Sequence, residues 1–175
     1  LLAAKYGYAI GEEARYREKD VLLGPGVNIY RTPLNGRNFE YMGEDPYLAS
    51  ELCVPYIQGV QKNGVAACVK HYALNNQLWR GHIDVQLSDR ALYEIYLPAF
   101  KAAVERGKAW SIMGAYNKVR GTHATHHKLL NNDILKGEWN FDGCVITDWG
   151  AAHDTYEAAM YGLDIEMGSY TNGLT

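Results

Sequence analysis

The chain has 175 residues, 47% apolar and 21% charged, with a net charge of −3. That suffices for one domain with an ordinary core and argues against a disordered or fibrous chain. The slight acidity argues against a nucleic-acid partner, no apolar run approaches the roughly 18 residues of a membrane span, and three cysteines without a C-x-x-C pair argue against a disulfide scaffold or structural zinc.

Residues 1–19, rich in Ala, Glu and Lys, predict a helix, followed by a first short apolar run, Val21-Leu22-Leu23. Asp45-Pro46 predicts an N-cap with proline at the first helical position, opening a helix towards Gln61. Ala66-Ala67-Cys68-Val69 is the second run. Ser88 can cap a helix carrying Leu92, Ile95, Tyr96, Ala99 and Ala103 on one stripe, kinked at Pro98 and ended by Gly107. Then come Trp110-Ser111-Ile112-Met113, a helix over 129–136, Cys144-Val145-Ile146, a helix over 151–161, and a candidate fifth strand, Leu163-Asp164-Ile165-Glu166-Met167. The runs are short, largely unalternating and bounded by Gly or polar residues, as strands buried on both faces are.

The alternation of helix and strand predicts an α/β fold with a mainly parallel sheet and helices outside it. Two architectures fit: a partial (β/α)8 TIM-type barrel with about four to five βα units, or a complete five-stranded open sheet. No G-x-G-x-x-G or G-x-x-x-x-G-K loop follows any run, which removes the strongest support for a nucleotide-binding sheet; no cofactor is expected. The chain starts at Leu1 without Met and ends at Gly173-Leu174-Thr175 without a closing element, so a piece of something longer is expected.

The chemistry is expected at the strand ends. Run 1 leads through Gly24-Pro25 towards Asn28 and Arg31, run 2 ends in Lys70-His71, run 3 in Tyr116-Asn117 and run 4 in Thr147-Asp148-Trp149. Polar groups just past the carboxyl ends of parallel strands share one mouth, where barrel active sites are built. Asp148 ranks first: a partly desolvated carboxylate there needs cationic neighbours, which Lys70, Arg37 and Arg80 could supply. Capping of a following helix is the competing reading of Asp148. His71 is read as either a satisfied core histidine or a ligand contact, Arg37 as either a site cation or a surface ion pair with Glu40 or Glu44, and Tyr116 as either site or packing. The 14 Tyr and 4 Trp suit a flat, half-apolar ligand such as a sugar, with core burial as the competing use. His123, His126 and His127 have helical spacing, but Gly121-Thr122 precedes them and no carboxylate is interleaved, so no metal site is expected.

Seven segments, Gly24-Pro25-Gly26-Val27-Asn28-Ile29, Gly36-Arg37-Asn38-Phe39-Glu40-Tyr41, Gly43-Glu44-Asp45-Pro46, Val69-Lys70-His71-Tyr72, Asn75-Asn76-Gln77, Gly114-Ala115-Tyr116-Asn117 and Thr147-Asp148-Trp149-Gly150, together resemble glycoside hydrolase family 3. The resemblance implies that residues 1–175 are an internal part of the family's single N-terminal barrel domain. It implies a retaining, exo-acting β-glycosidase, most often a β-glucosidase, with Asp148 as nucleophile. Arg37, Lys70, His71, Tyr116 and Trp149 match the family's substrate-binding positions. Arg80 stands where the family has a sugar-binding arginine, although Gln77 is followed by Leu78-Trp79-Arg80, without the usual Glu and one residue shorter. The implied partners are a carbohydrate substrate and a missing C-terminal domain that supplies the acid/base. Glu166, in the candidate fifth strand, is the alternative acid within the chain. A β-xylosidase and a non-catalytic truncated barrel are the alternative functions. The compartment is open, with secreted or periplasmic expected before cytoplasmic because many relatives are exported.

Overall fold

The computed structural model describes residues 2–77 and 79–168, so the expectation about the chain's last residues lies outside the described residues. Helix α1, Leu2–Tyr16, precedes strand β1, Val21–Leu22. Helix α2, Pro46–Gln61, starts as expected: the Asp45 carboxylate accepts from the N–H groups of Tyr47 and Leu48 at 2.8 and 3.4 Å, and Pro46, lacking an N–H, takes the first turn. The two helices lie in close contact at glycines. A Cβ on Gly7 would collide with the Tyr56 carbonyl, and one on Gly59 with that of Ala4.

Strand β2 is Ala66–Tyr72 and β3 is Asp84–Val85. Helices α3, Asp89–Ala91, and α4, Pro98–Glu105, precede strand β4, Ser111–Gly114, in the chain. Strands β5, Lys118–Val119, and β6, Thr122–His123, follow, then β7, Cys144–Thr147, and helix α5, Thr155–Met160. The principal sheet has the order β1-β2-β4-β7, all pairs parallel, with Val21 opposite Ala66, Cys68 opposite Ser111 and Ser111 opposite Cys144. These are the four apolar runs of the sequence.

Alternation along the strands explains why the runs are apolar throughout. Ala67, Val69, Ile112 and Val145 join the large core under the helices. Cys68, Met113 and Ile146 form a smaller cluster on the opposite face, with Leu23, Cys144 and Met167 against it. Both faces are therefore covered, as in a barrel wall. Tyr72 anchors the helix side: its ring lies edge-on to Phe100 at 5.1 Å and its hydroxyl donates to the Leu130 carbonyl at 2.8 Å.

Several elements differ from expectation. The helix expected after Ser88 is built in pieces. Ser88 Oγ does accept from the Ala91 N–H at 3.2 Å, but residues Leu92–Tyr96 widen into an i→i+5 turn, closed by Leu97 N–H donating to the Leu92 carbonyl at 3.0 Å, and Pro98 restarts the helix. Pro98 has no N–H to continue the ladder, so the chain breaks where the kink was expected. Leu129–Glu138 is likewise wide-turned, with Trp139 N–H donating to the Ile134 carbonyl at 3.0 Å. The expected fifth strand makes a single bridge, Ile146 to Ile165. The last helix starts at Thr155 rather than 151, because Asp154 is its cap and accepts from the Glu157 N–H at 2.8 Å. A small second sheet, β3-β5-β6, was not anticipated. Its strands are two residues each, and its hairpin turn, Arg120-Gly121, takes positive φ at both positions (50° and 94°).

Candidate active site

The carboxyl ends of β1, β2, β4 and β7 gather the sequence-predicted residues. Beyond β1 the chain stays beside β2: the Lys70 N–H donates to the Pro25 carbonyl at 3.0 Å, and the Val27 N–H to the Lys70 carbonyl at 2.8 Å. Asn28, buried, then clamps the backbone of His71, donating to its carbonyl at 2.9 Å and accepting from its N–H at 2.7 Å. This side chain completes the hydrogen bonding where β2 shifts register between Lys70 and Tyr72. On the other side of β2, Asn117 Nδ2 donates to the Ala73 carbonyl at 3.0 Å, tying it to the segment after β4.

Asp148 follows β7 and continues its ladder, its N–H donating to the Gly114 carbonyl at 3.2 Å. Its side chain is 6% exposed. Oδ1 accepts from the Trp149 N–H at 2.9 Å, whereas Oδ2 has no hydrogen-bond partner and lies 3.5 Å from His71 Nε2. Helix capping does not account for Asp148, since Asp154 holds that role. A buried carboxylate oxygen without a donor carries a penalty of about 1–3 kcal/mol, or more for a charged group, unless a ligand meets it.

The cations are arranged differently from the expectation. Arg37 and Lys70 are not paired with Asp148; both bind Glu40. Arg37 Nε pairs with Glu40 Oε1, and Lys70 Nζ with Oε2 at 2.9 Å. The reason is local: Glu40 closes the turn Asn38–Glu40, three residues after Arg37, and points back at it. Burial alone would raise the Glu40 carboxyl, but hydrogen bonds from Arg37 and Lys70 and their charges hold it below its ordinary value. Arg37 keeps a second contact, Nη2 to His71 Nε2 at 3.2 Å, so its ion-pair and site readings both hold.

His71 is 1% exposed and neutral: burial, then the charges of Arg37, Lys70 and Arg80, push it down to about 2. Arg80 does reach the site despite its shortened loop. Its guanidinium lies 4.7 Å above the Tyr116 ring, and Nη1 is buried without a hydrogen-bond partner. Tyr116 donates from its hydroxyl to the Trp149 carbonyl at 2.7 Å, joining the third and fourth strand ends. Trp149 is 51% exposed. The turn beneath it depends on Gly150 at φ 65°.

Sequence reasoning gave no site role to Glu40, Tyr41 or Asn75. Tyr41 and Asn75 form a buried chain behind His71. Glu40 and Tyr41 stood inside a motif already singled out, one and two residues past an aromatic, and that adjacency to Arg37 was the available signal. His123 and His126 stay close, with ring centroids 5.7 Å apart, while each of the three histidines has other partners. His126 Nδ1 meets Glu157 at 2.8 Å, His123 stacks on His153 at 4.0 Å, and His127 Nε2 lies 3.0 Å from the Val119 carbonyl. Among the described residues no three His, Cys, Asp or Glu side chains gather in a metal-ligating arrangement. Glu166 lies with Thr155, Ala158 and Asp164 around a groove beside α5, which corrects its placement as an acid for this site.

Three cations, a neutral imidazole and the Glu40 carboxylate thus gather at the strand ends that carry the bare Asp148 Oδ2. Such a set has the donors and acceptors to hold several hydroxyls of one ligand beside a buried carboxylate oxygen that lacks a partner. The family model described as Glycosyl hydrolase family 3 N terminal domain matches residues 2–167. The chain is 99% identical to the β-glucosidase BoGH3A of Bacteroides ovatus, covering all of this chain and 24% of that protein. It is 47% identical to an exo-α-(1→6)-L-arabinopyranosidase of Bifidobacterium longum, over 98% of this chain and 23% of that one. β-Glucosidase 3B from Thermotoga neapolitana, solved in complex with α-D-glucose, superposes with a TM-score of 0.93 at 45% identity, covering 95% of this chain and 23% of that structure. The chain therefore spans about a quarter of the length of the curated relatives it matches. Its parallel sheet with external helices is a sector of a TIM-type barrel, and the chain belongs to glycosyl hydrolase family 3, within the N-terminal domain.

Proposed function

We propose that the protein carrying this chain is a retaining, exo-acting β-glycosidase, a β-glucosidase, with Asp148 as nucleophile. The observation that carries this is the buried Asp148 Oδ2, unpartnered and 3.5 Å from His71 Nε2 at the carboxyl end of a barrel strand. In this reading Oδ2 attacks the anomeric carbon as the glycosidic C–O bond breaks, and the leaving oxygen takes a proton from a second carboxyl group. That group, now a base, removes a proton from water; the water oxygen attacks the same carbon and releases Asp148. The two carboxyl groups of a retaining enzyme stand about 5–5.5 Å apart.

Glu40 is not suited to be the acid, because both of its oxygens are paired with cations that keep it ionised. The acid/base is therefore assigned to a part of the protein beyond this chain, the C-terminal domain. Arg37, Lys70, His71 and Arg80 would hold sugar hydroxyls, and Trp149 would pack on the sugar face. The name of the Bifidobacterium relative supports a second reading, a pentopyranosidase, a class that includes β-xylosidases.

The test is Asp148→Asn in the full-length protein, assayed with aryl β-glucosides and aryl pentopyranosides. The proposal expects the wild type to prefer the glucoside, and the variant to lose at least about 10³-fold in kcat with its fold intact. Near-wild-type hydrolysis by the variant would overturn the nucleophile; preference for a pentopyranoside would select the second reading.

A further inference from the structure

Tyr41 takes no part in the proposed reaction, yet it is buried and joined to the site's histidine. Its hydroxyl lies 2.9 Å from His71 Nδ1 and accepts from Asn75 Nδ2 at 2.9 Å. Its ring meets the imidazole edge-on, at 6.0 Å and 82°. Tyr41 is 6% exposed and Asn75 and His71 1% each, so none of these contacts is a surface accident. The close approach is made possible by Gly26, where a Cβ would collide with the Tyr41 ring. The loop that carries Tyr41 is itself pinned, the Tyr30 hydroxyl donating to the Tyr41 carbonyl at 2.9 Å.

We propose that Tyr41, held by Asn75, is a positioning residue that fixes the orientation and proton placement of the His71 imidazole for sugar binding. The inference rests on the reading in which His71 meets sugar hydroxyls. A neutral imidazole carries one N–H, and the partner of one nitrogen decides the role of the other. Arg37 Nη2, 3.2 Å from Nε2, can only donate, so Nε2 accepts and Nδ1 holds the proton. That proton goes to the Tyr41 oxygen, which also takes the Asn75 N–H. The imidazole is thereby locked with its Nε2 lone pair turned towards Arg37, where a sugar hydroxyl that takes the place of the guanidinium N–H can donate to it. Without the phenol oxygen, two buried N–H groups lose their acceptor and the ring is free to tilt or to exchange its proton.

The test is a double-mutant cycle in the full-length enzyme, with an activated aryl β-glucoside as substrate and glucose as competitive inhibitor. Tyr41→Phe keeps the ring and removes one oxygen. It is expected to lower kcat/KM and raise the glucose inhibition constant by roughly tenfold, the upper range for one hydrogen bond. In a His71→Ala background the same substitution is expected to change neither quantity more than about twofold, because it acts through the imidazole. Asn75→Ser, a second route to the same phenol, should repeat the pattern with a smaller loss. Equal losses in both backgrounds would show that Tyr41 acts through the loop and overturn the inference, as would no loss in either. A wild-type enzyme without glycosidase activity would instead defeat the functional reading on which the inference stands.

Discussion

Glu40→Gln probes the electrostatics of the site most sharply. Glu40 is 18% exposed, and its partners Arg37 and Lys70 are 28% and 14% exposed, so neither ion pair is a fully solvated surface pair. Two unit charges about 4 Å apart interact by roughly 4 kcal/mol at an effective dielectric of 20. Desolvation and side-chain ordering offset much of this. The amide keeps the shape but not the charge, and its NH2 cannot accept from a cation, so both cations lose their counter-ion together and one loses its acceptor. The nearby uncompensated anion is Asp148 with its bare Oδ2, and a cation that swings onto it blocks the nucleophile and leaves its sugar hydroxyl. Misplacing one charged donor costs about 1.5–3 kcal/mol, or roughly ten- to hundredfold in kcat/KM at 1.4 kcal/mol per decade. The assay is steady-state hydrolysis of an aryl β-glucoside by the full-length protein. Because the folded-state value of Glu40 lies below 4.5, its pairing stabilises the fold above that pH and is lost as pH falls through the folded value. The wild type should therefore lose stability in that acid range, and Glu40→Gln should flatten that loss. Kinetics within twofold of wild type, with an unchanged acid limb, would refute the clamp.

His71, pushed down to about 2 from 6.5, is neutral in the fold and protonatable in the unfolded chain, so its contribution is full above pH 6.5 and shrinks as pH falls. Between pH 6.5 and 4 this amounts to roughly 3 kcal/mol, and thermal melts of wild type and His71→Asn should converge over that range; parallel curves would contradict it. Gly7→Ala should lower the thermal midpoint through a backbone clash with Tyr56, at about 1–3 kcal/mol, while kcat stays at the wild-type value. A variant as stable as wild type would show that α1 and α2 can move apart freely.

The parts legible in the sequence are those encoded in adjacent residues. An apolar run followed directly by Lys70-His71 or Asp148-Trp149 displays both the buried strand and the polar group at its end. The Asp45-Pro46 helix start was readable for the same reason. What was hidden depends on distance or on geometry without a composition. Asn28 and His71 meet across 43 positions, and Asn75 and Tyr41 across 34. The wide turns at Leu92–Tyr96 and Leu129–Glu138 keep an apolar stripe close to that of an ordinary helix, so spacing does not reveal them. Residues 163–167 alternate like a strand, yet only Ile165 bridges to β7, the rest being held through Asp164 and Met167 to the Val145 N–H and Thr147 Oγ1. The Arg37–Glu40 pair was one of the readings the sequence offered, whereas the binding of Lys70 by the same carboxylate went unread because charge type alone suggests that a cation seeks the most important anion.

The central claim is that Asp148 is the atom-bearing partner of the sugar during turnover. A 2-fluoro-2-deoxy-β-glucosyl reagent with an activated leaving group, incubated with the full-length enzyme and followed by peptide mapping, reads it directly. The account predicts time-dependent inactivation and one glycosylated peptide, esterified at Asp148. A label on Glu40 or on any other carboxylate, with Asp148 unmodified, would contradict it.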